Sequence, residues 1–152
     1  MKPTIAIILL APLAQAETVQ QAALSSAWAI FQEARGESME GKVAVASVIA
    51  NRARLKQTTI TQTVFKDKAF SVGSSVPLWF MSEAQSKKCL APADFDAREE
   101  CLWIAQHIGK KTSKPAGDWT HFYAHKLVTP YWAEGLENVK VIGNHTFGTT
   151  KF

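Results

Sequence analysis

The sequence predicts an α+β fold, mainly α, with a small antiparallel sheet at its C-terminal end. Three stretches carry that expectation. Between Thr18 and Arg35, residues Val19, Ala22, Ala23, Ala27, Ile30 and Ala34 share one face at helical spacing. Val43, Ala44, Ala46, Val48, Ile49 and Ala50 then make a helix, to about Leu55, that is apolar nearly all round and therefore belongs in the middle of a core. Near the C-terminus, Val139-Lys140-Val141-Ile142, Gly143-Asn144 and His145-Thr146-Phe147 read as a hairpin with a two-residue turn.

Taken in order, the first helix stops at Gly36, and Ser38 is the candidate N-cap of the second. Asn51 and Arg52 are the polar exception on that second helix and fall where it nears its end. Ile60, Val64 and Phe65 suggest a short third helix. From Ala69-Phe70-Ser71 the chain reads as a loop carrying Gly73-Ser74-Ser75, Pro77, Trp79 and Phe80. Exposed aromatics beside polar residues suit the faces of sugar rings, and packing beneath a long loop accounts for them equally well. A further helix is expected from about Asp94 to Gly109, with Cys101, Leu102, Ile104, Ala105 and Ile108 apolar. Lys110 and Lys111 follow near its C-terminus, where positive charge is favoured. Trp119 to His125 has strand propensity.

The 152-residue chain opens with Lys2, the apolar run Ile5 to Leu13 and the small-residue site Ala14-Gln15-Ala16. This pattern predicts a signal peptide over residues 1–16 and one domain over residues 17–152, with no length for a second core. The run is interrupted by Pro12 and short for a bilayer, so no stable membrane insertion is expected after cleavage. A periplasmic or secreted location follows, with a tethered, uncleaved form as the alternative. There are 17 basic and 13 acidic side chains, and Lys2 alone of the basic ones lies in the leader. A mildly cationic exported domain suits an anionic polymer, while the scatter of its basic residues argues against nucleic acid. In an oxidising compartment Cys89 and Cys101 are expected to form a disulfide. Neither a metal nor another cofactor is expected, because no CxxC or Cys/His pair has ligand spacing.

Glu33, in the run Phe31-Gln32-Glu33-Ala34-Arg35-Gly36-Glu37, projects from the edge of the first helix's apolar stripe. Partial burial raises a carboxyl's pKa, which is what a general acid near neutral pH requires. An ion pair or a helix-terminal charge is the other reading. In a strand, His121, Tyr123 and His125 would line one face. Two imidazoles and a phenol there can bond along a groove or, with His145, serve as zinc ligands in an amidase, although HxxxH without a metalloprotease glutamate is a weak zinc pattern. Trp79 and Trp132 either stack on sugars or pack in the core. Arg35 and Arg52 are read as holding helix ends.

Seven ordered blocks resemble the SleB-like family of cell-wall hydrolases, the spore cortex-lytic type. They are Glu33-Ala34-Arg35-Gly36-Glu37, the stretch from Glu40-Gly41-Lys42 to Ala46, Asn51-Arg52, Ala69-Phe70-Ser71, Thr120 to Ala124, Pro130 to Ala133, and Ile142 to Phe147. The family commonly has tyrosine where Phe31 stands and often an aromatic where Gly148 stands. The resemblance covers almost all of the chain after the leader. It implies a lysozyme-like, mainly α catalytic domain acting on peptidoglycan glycan strands, between N-acetylmuramic acid and N-acetylglucosamine, with Glu33 at the family's catalytic glutamate.

Paired-carboxylate glycosidases need a second acid across the scissile bond. Glu37 is the nearby candidate in sequence, but residues four apart on one helix face lie side by side, so its expected role is structural or pKa-tuning. A one-carboxylate mechanism is left, lytic transglycosylation, with hydrolysis by a water held by Ser71, Tyr123 or a histidine as the alternative. A non-catalytic wall-binding module is the remaining reading; loss of the acid would be its signature, and Glu33 is present.

Overall fold

The computed structural model describes residues 16–66, 70, 72–108 and 116–150. The leader before Ala16, Ser71 and the Lys110-Lys111 pair lie outside the described residues.

Helix α1 (Val19–Ala34) begins at a reciprocal capping box, in which Thr18 accepts from the Gln21 amide and Gln21 returns a bond to the Thr18 amide. Its second half, Ser25 to Phe31 with Ala34, is buried almost all round, whereas Val19 is exposed. The stripe expected along its whole length therefore holds only toward the C-terminus. Ser38 caps α2 (Met39–Lys56), which ends on Gln57 in the left-handed conformation. Ala44, Val45, Val48 and Ile49 are wholly buried, as the unbroken apolar run requires. A second capping box, Thr59 with Gln62, starts α3 (Ile60–Phe65). Glu17 adds to it from far away, accepting from the Ile60 and Thr61 amides at 3.0 and 2.7 Å.

The stretch read as a loop after Phe70 instead contains α4 (Leu78–Met81) and α5 (Glu83–Cys89). Both are too short to show helical periodicity, and Ser82 supplies the N-cap that separates them. Their aromatics pack inward. Phe80 is fully buried, its ring 5.0 Å from Trp28 and 5.4 Å from Phe31, and Trp79 meets Trp28 edge-on at 5.7 Å. Of the two readings of Trp79, core packing holds. The segment is tied down by Trp28 Nε1 donating to the Val72 carbonyl and by Arg98 donating twice to that of Phe80.

Helix α6 (Pro92–Ile108) starts on a proline, which needs no amide hydrogen at a first helical position. It lies against α1 and α2, with the buried Lys42 ammonium paired to Glu100 at 2.5 Å. The expected disulfide is not formed. Cys101 is buried in the middle of α6 and Cys89 is exposed at the end of α5, so the two thiols occupy different environments and remain free.

Strands β1 (His121–Ala124), β2 (Leu136–Ile142) and β3 (His145–Thr150) form an antiparallel sheet in the order β1-β3-β2. The hairpin turn is Gly143-Asn144, with Gly143 at φ +58°, as a tight two-residue turn demands. A bulge at Asn138, φ +52°, shifts the β2 register and aims its carbonyl at Trp119 Nε1, 3.0 Å away.

Candidate active site

The sheet is fastened to the helical body at two places. At the start of β1, buried Asn51 donates from Nδ2 to the carbonyls of Gly117 and Trp119 at 2.8 and 2.9 Å, and Arg52 Nε donates to that of Thr120 at 2.5 Å. The Arg52 guanidinium also lies over the ring of buried Phe70, which packs against Phe122 of β1. The polar pair that interrupts α2 thus anchors the chain leading into β1.

At the hairpin end, Glu37 accepts from Asn144 twice, from the backbone amide at 3.1 Å and from Nδ2 at 2.9 Å. Lys140 of β2 reaches Glu40 of α2 at 3.0 Å beside it. Burial pulls the Glu37 pKa upward, but the two Asn144 bonds, with the charges of His145 and Lys126, outweigh it and hold the carboxyl below its ordinary 4.5. His145 is 8% exposed, its Nδ1 buried and lacking a hydrogen-bond partner among the described residues. Burial pushes its pKa below 6.5, against the pull of Glu37 and with a small push from His125.

Glu33 stands in the last turn of α1 and is partly buried, one helical turn before Glu37. The Glu37 amide bonds back to the Ala34 carbonyl at 2.9 Å, so the chain turns tightly between the two acids. Glu37, three residues past the end of α1, is the residue that reaches the hairpin turn. Arg35 pairs with Asp94 at 3.6 Å and covers the Phe31 ring, tying the same helix end to α6.

On β1, His121 and Tyr123 both flank Trp132, with ring centroids 5.2 and 5.7 Å away. Trp132 sits on a turn of 3-10 helix, Tyr131–Gly135, beside a shallow concavity lined by Tyr131, Glu134, Leu136 and Glu137. His125 does not join this row. The strand stops at Ala124, whose carbonyl accepts from Leu127 and Val128, and His125 in the turn bonds Thr146 through Nδ1 at 3.2 Å. Among the described residues no three His, Cys, Asp or Glu side chains are gathered as a metal site.

Two other concavities, about 360 and 650 Å³, adjoin the N-terminal half of α1, and Glu33 lines neither. A polymer strand needs an open trough rather than an enclosed pocket, so cavity size is a poor guide to this site. Asn144 and His145 carried less weight in the sequence than they do in the fold. A glycine turn followed by Asn-His is an ordinary hairpin pattern, and only the folded chain brings it to Glu37, 107 residues away.

The chain combines a helical body, with Glu33 in the last turn of its first helix, and a three-stranded antiparallel sheet. The chain belongs to the cell wall hydrolase family, whose family model matches residues 36–148. Glu33 lies just ahead of that matched stretch. Spore cortex-lytic enzymes of Oceanobacillus iheyensis and Bacillus subtilis are 31% and 26% identical over 121 and 125 residues, 78% and 80% of this chain. The chain spans only 38% and 35% of their lengths. The fold matches the catalytic domain of the germination-specific lytic transglycosylase SleB from Bacillus anthracis, with a TM-score of 0.56 at 23% identity over 91% of this chain and 100% of that one. The SleB catalytic domain of Bacillus cereus gives 0.53 at 24% identity, over 86% and 91%. The mainly α fold with a small antiparallel sheet is therefore as expected. No helix among the described residues is long and apolar enough to cross a membrane.

Proposed function

We propose that this chain is an exported peptidoglycan-cleaving enzyme that cuts between N-acetylmuramic acid and N-acetylglucosamine as a lytic transglycosylase, with Glu33 as its single acid and base. The observation that carries this reading is the commitment of Glu37. Both Asn144 donors bind its carboxylate and keep it ionised, so the second acid in the Glu33–Glu37 run is occupied in joining the sheet to the helices.

In that mechanism Glu33 in its acid form gives its proton to the glycosidic oxygen, and the bond to muramic acid C1 breaks, freeing the 4-hydroxyl of the glucosamine unit. The Glu33 carboxylate then takes the proton of the muramic 6-hydroxyl while that oxygen bonds to C1. The product is a 1,6-anhydro ring, Glu33 regains its proton, and no water is consumed.

His121, Tyr123 and Trp132 form an aromatic and hydrogen-bonding surface suited to an N-acetylated sugar. The Lys2, Ile5 to Leu13 and Ala14-Gln15-Ala16 pattern supports export by a signal peptide over residues 1–16, which leaves a catalytic domain over residues 17–152 in the periplasm or outside the cell. Its partners on this reading are glycan strands alone. Lysis of purified peptidoglycan tests it: Glu33→Gln should cut turnover by about 10²- to 10⁴-fold with the thermal midpoint retained. Lysis at the wild-type rate by that variant would remove Glu33 from the chemistry.

A further inference from the structure

The two attachments of the sheet differ in kind. Asn51, which is buried, and the half-buried Arg52 hold backbone carbonyls ahead of β1. Glu37, whose side chain is 9% exposed, reaches out of the α1–α2 junction and holds only the tip of the hairpin. Phe122, Ile142 and Phe147 seat the sheet on the helical core, and the Glu37 clasp is a separate polar contact at the turn. Since β3 pairs with both β1 and β2, the tilt of the hairpin is also the tilt of the β1 face that carries His121 and Tyr123. Glu33 is on the fixed side of this joint, on α1.

The turn is shaped for the carboxylate. A Cβ on Gly143 would run into Glu37 Oε2, and one on Gly41 would approach Glu37 Cβ to 2.9 Å, so glycines on both sides admit the side chain. Lys126 Nζ donates to Asn144 Oδ1 at 3.0 Å, which leaves the Asn144 amide nitrogen directed at Glu37. His145 closes the other side, Nδ1 lying 3.6 Å from Glu37 Oε1.

We infer that Glu37 is a positioning residue: its clasp on Asn144 sets the angle between α1, with Glu33, and the β1 face that takes the sugar. The role rests on the glycan-cleaving function proposed above. It differs from a structural tie because it affects the distance between the reacting acid and bound substrate, and small misplacements of that kind cost turnover more than binding.

Glu37→Gln tests it, alone and together with Asn144→Asp. Glutamine turns its NH2 group to the Asn144 NH2 and no longer offers a charged acceptor to both donors, so the clasp opens and the backbone bond weakens with it; the second change supplies an acceptor and closes it again. Hydrogen exchange at the residue-144 amide reports the clasp directly. In Glu37→Gln that amide should exchange faster, and kcat on peptidoglycan should fall on the order of 10- to 100-fold with KM little changed. In the double variant amide protection and kcat should both return. If Glu37→Gln does not fold, Asn144→Ala, which removes only the side-chain bond and leaves the backbone amide protected, should still lower kcat with KM little changed, and an unchanged kcat there overturns the inference.

Fast exchange with kcat unchanged overturns the inference, as does protection restored in the double variant without recovery of kcat. A wild-type protein that releases no glycan product overturns the proposed function itself, and the role of Glu37 with it.

Discussion

Nδ1 of His145 lies 3.6 Å from Oε1 of Glu37, near enough to feel the carboxylate's charge and too far to share a hydrogen with it. The imidazole is kept neutral by burial, and the carboxylate is kept ionised by Asn144. Both groups have folded-state pKa values below their ordinary ones of 6.5 and 4.5.

Both depressions carry the same sign. The unfolded chain binds these protons more readily, so each group contributes stability that is present above its ordinary pKa and lost as pH falls through its folded value. Thermal melts should show a midpoint that declines below about pH 6.5 as His145 is forced to charge, and again below about pH 4.5 as Glu37 is neutralised. Replacing His145 by Gln should remove the upper part of the decline. A midpoint equally flat between pH 7.5 and 5 in both proteins, pH values on the order of those the shifts imply, would contradict this assignment.

Gly143→Ala should destabilise strongly, because the new methyl meets Glu37 and the residue holds φ +58°. The backbone alone accounts for about 1–2 kcal/mol, and loss of a charged hydrogen bond for about 1.5–3 more. Gly36→Ala is the control: nothing lies within 4 Å of its Cβ position, so the change should stay within about 0.5 kcal/mol. Urea midpoints compare them, and equal effects would mean that the turn is not shaped by Glu37.

How much of this was legible in the chain depends on how far apart the partners lie. Caps at Ser38 and the buried run of α2 are local and were read from spacing alone. The hairpin turn was equally plain, since Gly143-Asn144 is a turn by its own chemistry. Helices α4 and α5 were missed because four and seven residues hold too few turns for a period to appear. His125 was placed on the strand face because alternation says nothing about where a strand ends. Glu37 was identified as an acid unsuited to act as nucleophile, but its partner was out of reach of any local pattern.

Asn51→Leu should cost about 1–3 kcal/mol although leucine suits a buried helix position. It would leave the Gly117 and Trp119 carbonyls without the donor that now serves both. Chemical denaturation reads the loss, and an unchanged midpoint would show that the sheet does not depend on this anchor.

The Cys101 thiol is pushed up to about 12, chiefly by burial. A thiol-reactive disulfide reagent should therefore titrate Cys89 in the native protein and reach Cys101 only after unfolding. Failure of both thiols to react even when unfolded under non-reducing conditions would show that they bridge.

On the proposed mechanism one carboxyl, Glu33, both gives and removes the proton. Mass spectrometry of the products from purified peptidoglycan tests this most directly. Muropeptides ending in 1,6-anhydro-muramic acid, absent from the Glu33→Gln digest, are the predicted result. Reducing muramic ends would mean that water is the nucleophile, and free stem peptides would mean that the glycan bond is not the one cut.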